Sequence, residues 1–296
     1  MPHYDLHSHS YYSDGTLSPA ELVLRAHAAG VDVLALTDHD VTDGIGEARA
    51  AAQTIGLALV PGVEISVTWG TKTVHIVGLG IDPTNAQLQA GLARLRVFRA
   101  WRAEEIGRRL AAKGIGEAYE GARALARGSL ISRTHFAQHL VAAGHAADVR
   151  QVFKKFLVSG KPGHVPGQWA ALSDAVAWIC AAGGQAVIAH PARYKLSATH
   201  LQRLLGEFKD SGGEAIEVVC GSHSRDDYLR FASLAARYGL LASSGSDYHG
   251  PEAPWVELGR LPALPETCRP VWHSWRGADG TGCSQNSVAL PLAVTG

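Results

Sequence analysis

Asp5-Leu6-His7-Ser8-His9, followed by Asp14, opens the chain with residue types that hold divalent cations. In an extended segment residues two apart point to the same side, so His7 and His9 can approach one ion together. A lone HxH pair is equally at home in a polar loop, and the case rests on repetition. The same residue types recur in Thr37-Asp38-His39-Asp40, in Pro61-Gly62-Val63-Glu64, in Thr73-Val74-His75-Ile76-Val77, in Ala189-His190-Pro191 and in Ser246-Asp247-Tyr248-His249. His75 sits inside an apolar run and, taken alone, reads better as a hydrogen-bonded core histidine than as a ligand. Imidazole and carboxylate without thiolate suit manganese, iron or zinc. Nine such groups (His7, His9, Asp14, His39, Glu64, His75, His190, Asp247 and His249) exceed what one ion needs, so two or three ions are expected, with Glu64 as the bridge. A metal that only staples the fold is the weaker reading, because structural zinc sites are usually closed four-ligand sites rich in Cys.

These groups follow short apolar, β-rich runs that alternate with Ala/Leu-rich stretches of helical period, a pattern of repeated βα units and a mainly parallel sheet. The fold class is α/β. Seven strands are predicted at 3–6, 31–37, 57–64, 73–79, 185–190, 215–219 and 240–244, and helices at 19–29, 46–55, 172–182, 199–209 and 225–238. Ser18 is the expected N-cap of the first helix, with Pro19 at N1. In a parallel α/β sheet the C-terminal strand ends face one side, so six strands would deliver the nine groups to one mouth. Residues 83–167 lack strand patterns and read as an inserted helical subdomain. Residues 265–296 carry Gly, Ser and Pro without clear period, and the 284–287 Ser-Gln-Asn-Ser run looks loosely held.

Composition narrows the function classes. The 296 residues carry 27 Lys+Arg against 27 Asp+Glu, so no overall positive field holds a long nucleic acid, and an anionic partner must be gripped locally. Fifteen histidines stand out against one Met and four Cys. The cysteines show no CxxC spacing and no apolar leader precedes Asp5, so a cytoplasmic protein is expected. The apolar runs are too short to span a membrane, and no obligate protein partner is evident.

Together, DLHSHSYYSDG, LTDHD, PGVEIS, VHIVG, AHP and SDYH resemble the PHP (polymerase and histidinol phosphatase) family over about residues 1–82 and 168–260. The resemblance implies a distorted (β/α)7 barrel, here with the inserted helical subdomain as a substrate-binding lid. It implies three metal sites: His7 and His9 with Glu64 and Asp247; Glu64 with His75 and His190; Asp14 with His39 and His249. Manganese is the metal expected first. The insertion, with Ser132-Arg133-Thr134-His135-Phe136, Phe153-Lys154-Lys155-Phe156-Leu157 and Gly160-Lys161-Pro162-Gly163-His164, looks like a subgroup of nucleoside 3',5'-bisphosphate phosphatases and 5' to 3' exoribonucleases of the RNase AM type.

That resemblance implies metal-assisted hydrolysis of a small phosphorylated nucleotide, and also of short 5'-phosphorylated RNA. The phosphate that is not cleaved needs its own grip, for which Arg133, His135, Lys161 and His164 are the candidates; His223, at another strand end, is a candidate near the leaving group. Lys154 and Lys155 read as surface. The arginines at 94, 96, 99, 102, 108 and 109 spread over several helix faces and read as a solvated helix, and none of Trp69, Trp169 and Trp178 is singled out for stacking. Rival readings are a histidinol-phosphate phosphatase, which would need a carboxylate for the substrate ammonium, and a non-catalytic PHP module that binds metal for scaffolding.

Overall fold

The computed structural model describes residues 2–252 and 255–276. Seven strands, β1 (Tyr4–Asp5), β2 (Val33–Leu36), β3 (Ala58–Trp69), β4 (Lys72–Leu79), β5 (Gln185–Ile188), β6 (Ala215–Cys220) and β7 (Leu241–Gly245), lie in sequence order round one sheet. The amide of Leu6 donates to the carbonyl of Ser244 and Ser8 bridges Tyr248, which brings β1 back beside β7 and nearly closes a barrel. Helices α1 (Pro19–Ala28) and α2 (Ile45–Ile55) cover the first half. Helices α3 (Ala86–Ala111), α4 (Ala118–Leu125), α5 (Arg133–Ala142) and α6 (Val149–Val152) fall between β4 and β5. The remaining helices, α7 (Leu172–Ala181), α8 (Ala198–Asp210) and α9 (Arg225–Tyr238), cover the second half. Ser18 caps α1 in a reciprocal box with Glu21 behind Pro19, as its sequence signature dictates.

The expected parallel order fails at β4, which runs antiparallel to both β3 and β5. The reason is length: β3 continues to Trp69 and Gly70 turns at φ 57°, so the two strands form a hairpin with no room for a crossover helix. Side-chain alternation then does the positioning. On β3, Val60 faces the barrel interior, and Glu64 and Ser66 fall on that same face. On β4, Leu79 and Val77 face inward, and His75 is next in line, so reversal of the strand still brings His75 to the mouth.

The apolar floor of the barrel comprises Tyr4, Leu6, Val33, Ala35, Val77, Val187 and their neighbours, with Val271 and Trp275 packed from below. A larger apolar layer separates the sheet from its surrounding helices, and the inserted helices have a core of their own around Ile106, Leu110, Phe136 and Leu157. Residues 265–276 therefore contribute packing, Trp272 stacking on Tyr4 at 4.0 Å and Trp275 donating to Gln185. The 284–287 run lies outside the described residues. No described helix is long and apolar enough to cross a membrane.

Candidate metal centre and its arginine wall

Glu64 is the hub of the barrel mouth. Its Oε1 lies 2.8 Å from His75 Nδ1 and 2.9 Å from His190 Nε2, and its Oε2 lies 2.9 Å from His39 Nδ1 and 3.3 Å from Nε2 of both His7 and His9. Asp247 Oδ1 stands 3.3 Å from His9 Nε2 and 3.5 Å from His7 Nε2. Asp14 Oδ1 stands 3.3 Å from His249 Nε2 and 3.7 Å from His39 Nε2. Three sets converge tightly enough for an ion each: His7, His9, Glu64 and Asp247; His9, Asp14, His39 and His249; and His39, Glu64 and His75. The first equals the expected set. The second adds His9, and the third has His39 where His190 was expected, His190 touching the same Glu64 oxygen as His75 from the other side.

The donor set fits divalent ions on its own evidence. Buried Asp14 Oδ1, Glu64 Oε2, His39 Nδ1 and His190 Nδ1 have no aligned hydrogen-bond partner, although neighbouring nitrogens and oxygens crowd them. His7 and His9 point Nε2 at one another across 3.1 Å, an arrangement that serves a shared cation better than a shared proton. A buried polar group without a partner costs about 1–3 kcal/mol, so several converging here need a ligand that satisfies them together. His75 therefore belongs with the mouth cluster, and the core reading of it is corrected: only its neighbours Val74 and Ile76 point into the outer apolar layer.

Surrounding residues aim these ligands. Glu217, buried on β6, accepts from His7 Nδ1 at 2.6 Å and from the His190 amide, which leaves His7 Nε2 facing the cluster. Asp38 clamps the 8–13 loop by accepting from the Ser10 amide and the Ser10 and Ser13 hydroxyls. A side chain at Gly245 would collide with the His7 Cβ, so close approach of β7 to β1 requires glycine there. Burial, aided by the charge of His249, pushes the His9 imidazole down to about 3, and burial likewise takes His75 down to about 4. Burial also works against His249, yet Asp14 and Asp247 outweigh it and raise that imidazole to about 9. Burial favours protonation of Asp14, Glu64 and Asp247, but the surrounding histidines, with Arg193 at Asp247, keep all three carboxyls well below their usual range.

Above the cluster opens a cavity of about 180 Å³ whose other side is cationic. Arg99 and Arg102 from α3, Arg133 at the start of α5 and Arg193 after β5 all line it, with Trp169 and Phe153. Reading the α3 arginines as solvated is thus wrong for two of them: Arg99 is 8% exposed and Arg102 9%. Arg99 is pinned by Asp40 at 2.6 Å and Ser66 at 2.8 Å, and Arg102 donates to the carbonyl of Val165. Both guanidiniums lie over the Trp169 ring, at 5.0 and 5.2 Å from its centre. Burial first, then Arg133 and Arg99, lower the Arg102 guanidinium to about 9, which leaves it cationic at neutral pH. Among the described residues neither Arg102 nor Arg133 has a carboxylate partner, while Arg193 pairs with Asp247.

Of the other residues expected to grip phosphate, none lines this cavity. His135 is turned into the α5 capping box, its Nδ1 accepting from the Ser132 amide. Lys161 is exposed, and His164, next to the Val165 whose carbonyl Arg102 reaches, is half-buried; neither lines the cavity. Buried His223 donates to the Val218 carbonyl and its Nε2 approaches the Ala192 amide at 3.5 Å, a place in the scaffold beneath Arg193. Arg99, Arg102, Arg193 and Trp169 are site residues that the sequence reading misses. A signal existed for two: Leu88, Leu92, Leu95, Ile106 and Leu110 mark the buried stripe of α3, and positions 99 and 102 continue it at the same spacing.

The pattern of the PHP domain matches residues 5–159. The chain is 52% identical over 274 residues to a 3',5'-nucleoside bisphosphate phosphatase of Chromobacterium violaceum, covering 92% of this chain and 96% of that protein. It belongs to the PHP domain family. A second relative, the 5'-3' exoribonuclease Rnm of Escherichia coli, is 45% identical over 280 residues, 94% of this chain and 95% of that one. Among solved structures, one described as an amidohydrolase from Chromobacterium violaceum, with bound sulfate and no metal, superposes with a TM-score of 0.89 at 51% identity. It covers 92% of this chain and 95% of its own. The nearly closed barrel is the α/β frame that carries the histidine and carboxylate cluster.

Proposed function

We propose that this PHP protein is a metal-dependent phosphoesterase that removes the 3'-phosphate of nucleoside 3',5'-bisphosphates and also removes nucleotides from the 5' end of short RNA. The observation that carries the reading is one cavity with two unlike walls, a cluster of metal-type ligands on one side, with Arg193 joined to it at Asp247, and Arg99, Arg102 and Arg133 on the other. A substrate with two phosphates fits that polarity. The 3'-phosphate is placed at the cluster and the 5'-phosphate at Arg102 and Arg133, whose charge has no other partner among the described residues. The names of the relatives, one a bisphosphate phosphatase and one an exoribonuclease, accord with a shared first nucleotide bearing a 5'-phosphate.

His7, His9, Asp14, His39, Glu64, His75, His190, Asp247 and His249 would hold two or three divalent ions, Glu64 shared between sites. The donor types favour manganese, with iron or zinc as the alternatives. Such ions supply Lewis-acid stabilisation of the phosphoryl charge and lower the pKa of an attacking water. The protein's own contribution is position. Arg99 and Arg102 are fixed by Asp40, Ser66 and the Val165 carbonyl, so their charge is already in place when the anion arrives. Thr134 ties the start of α5 to Asp14 at 3.1 Å, which fixes the distance between wall and cluster. Among the described residues the only carboxylates lining the cavity, Asp14 and Asp247, belong to the cluster, so nothing there receives the ammonium of histidinol phosphate. Three described cysteines are unpaired, in keeping with a cytoplasmic enzyme.

Phosphate release from adenosine 3',5'-bisphosphate, 5'-AMP and histidinol phosphate, and 5'-nucleotide release from a 5'-phosphorylated oligoribonucleotide, with manganese and a His9→Ala control, test the assignment. Turnover of the bisphosphate and the oligonucleotide, lost in the variant, is expected. Preference for histidinol phosphate would overturn the role of the wall, and turnover unchanged in the variant would overturn the role of the cluster.

A further inference from the structure

With the 5'-phosphate at the arginine wall and the scissile phosphate at the cluster, an RNA chain beyond its first nucleotide must leave over the rim of the barrel mouth. Two segments border the cluster there. One is the β3–β4 hairpin, which puts Thr73 and His75 into the cavity; the other is the turn after β5, which puts His190 and Arg193 into it. Lys72, paired across the hairpin with Trp69 and on the strand face opposite to Thr73, and Lys195, two residues after Arg193, are both exposed. These two lysines line one further groove of about 430 Å³, with Trp69, Ser197, His200 and Arg203.

The charges in the groove are not equal. Arg203 is bound to Glu207 at 2.6 Å, and Glu207 also accepts from the Trp69 indole, so that guanidinium is already neutralised. Lys72 and Lys195 have no carboxylate within ion-pair distance among the described residues, and no acidic side chain of those residues lines the groove. Lys195 is held at φ 49° by the short turn that also carries His190 and Arg193, so its position is coupled to the cluster. A fourth cation on this path, Arg193, is half exposed at the rim.

We propose that the groove between the hairpin tip and the start of α8 is the exit track for the 3' continuation of RNA, with Lys72 and Lys195 binding the backbone phosphates that follow the scissile one. The inference rests on the proposed function, and it says why one site can serve both substrates. A bisphosphate ends at the cluster and never reaches the lysines, whereas an oligonucleotide must cross them. Binding there is by charge along a backbone, so it is independent of base and sensitive to salt.

The test compares wild type with Lys72→Glu/Lys195→Glu on adenosine 3',5'-bisphosphate and on a 5'-phosphorylated RNA decamer. On the decamer kcat/KM should fall about tenfold or more, and its dependence on salt should flatten, since two phosphate contacts are lost. On the bisphosphate kcat/KM should stay within about twofold, which also reports an intact fold and cluster. Lys72→Arg/Lys195→Arg should restore the decamer rate. Equal losses on both substrates, an unchanged decamer rate, or a wild type active on bisphosphate alone would each overturn the track. A wild type inert on the bisphosphate would instead sink the functional reading beneath it.

Discussion

The two walls of the cavity are built by opposite methods. The cluster is assembled from the strands and loops of the barrel, each supplying one to three ligands from a backbone that hydrogen bonds and apolar packing already fix. The arginine wall comes mostly from inserted helices and is held by a few long side chains, Arg99 to Asp40 and Arg102 to a carbonyl. On the proposed function the cluster would carry the chemistry on a rigid frame, while the wall would select the substrate on an appended one. This division agrees with what barrels generally permit, since loops and insertions at the mouth change without disturbing the core.

If the division is right, the largest loss comes from the hub. Glu64→Gln removes the charge shared by five histidines while keeping volume. It should cut kcat/KM by about a thousandfold on bisphosphate and RNA alike, as expected when several kcal/mol of transition-state stabilisation are removed. Bound manganese per chain should fall in the same variant. A Glu64→Gln variant with full metal content and near wild-type turnover would move the centre of the chemistry away from Glu64.

Acid should act on the cluster next. His9 and His75 titrate in the fold at about 3 and 4, below the 6.5 of an unfolded chain, so they stay neutral while the unfolded chain gains protons. Their stabilising contribution is present above pH 6.5 and is lost as pH falls toward their folded values. For metal-stripped protein each costs about 2 kcal/mol between pH 7 and 5. Asp5, which burial raises to about 6, and His249, held at about 9, have the opposite sign, and each returns about 1 kcal/mol over the same range. The difference between variants isolates one group from this sum. In urea denaturation, metal-stripped His75→Gln should lose about 2 kcal/mol less stability than wild type on going from pH 7 to 5. Manganese should also protect the wild type at pH 7 more than at pH 5. The same pH dependence in both proteins would mean that His75 is not buried as a neutral group.

The same division governs what the sequence reveals. His7, His9, His39, His190 and His249 lie at or next to strand ends, where an apolar run stops, and seven strands are legible because each run is bounded by turn residues. Reversal of β4 is visible only as the shortness of the 65–72 gap, and His75 reads as core because the alternation of Val74 and Ile76 hides which face is the interior. The wall is harder, because an arginine on a long helix is nearly always solvated. Arg99 and Arg102 share the stripe of Leu92 and Leu95, yet only the folded cavity shows that this stripe ends on a ligand and not on apolar core. Glu217 gives no local signal, being one acid within Ala215–Cys220, and its role comes from His7, 210 residues away in the chain.

The smallest effect is also the most selective. Arg102→Met keeps the packing against Trp169 and removes one of the four arginine charges that line the cavity. A charge-assisted hydrogen bond to phosphate contributes about 1.5–3 kcal/mol, and Arg133, the other cavity arginine without a carboxylate partner among the described residues, remains to hold the anion. The loss in kcat/KM on adenosine 3',5'-bisphosphate should be about tenfold, mostly in KM. On 3'-AMP, which has no 5'-phosphate for the wall to hold, the variant and wild type should differ by less than about threefold. Lys161→Ala, exposed and outside the cavity, should change neither substrate. Equal losses on both substrates in Arg102→Met would show that α3 shapes the cluster itself and would erase the separation between the two walls. A loss confined to the bisphosphate fixes the wall as the reader of the phosphate that stays.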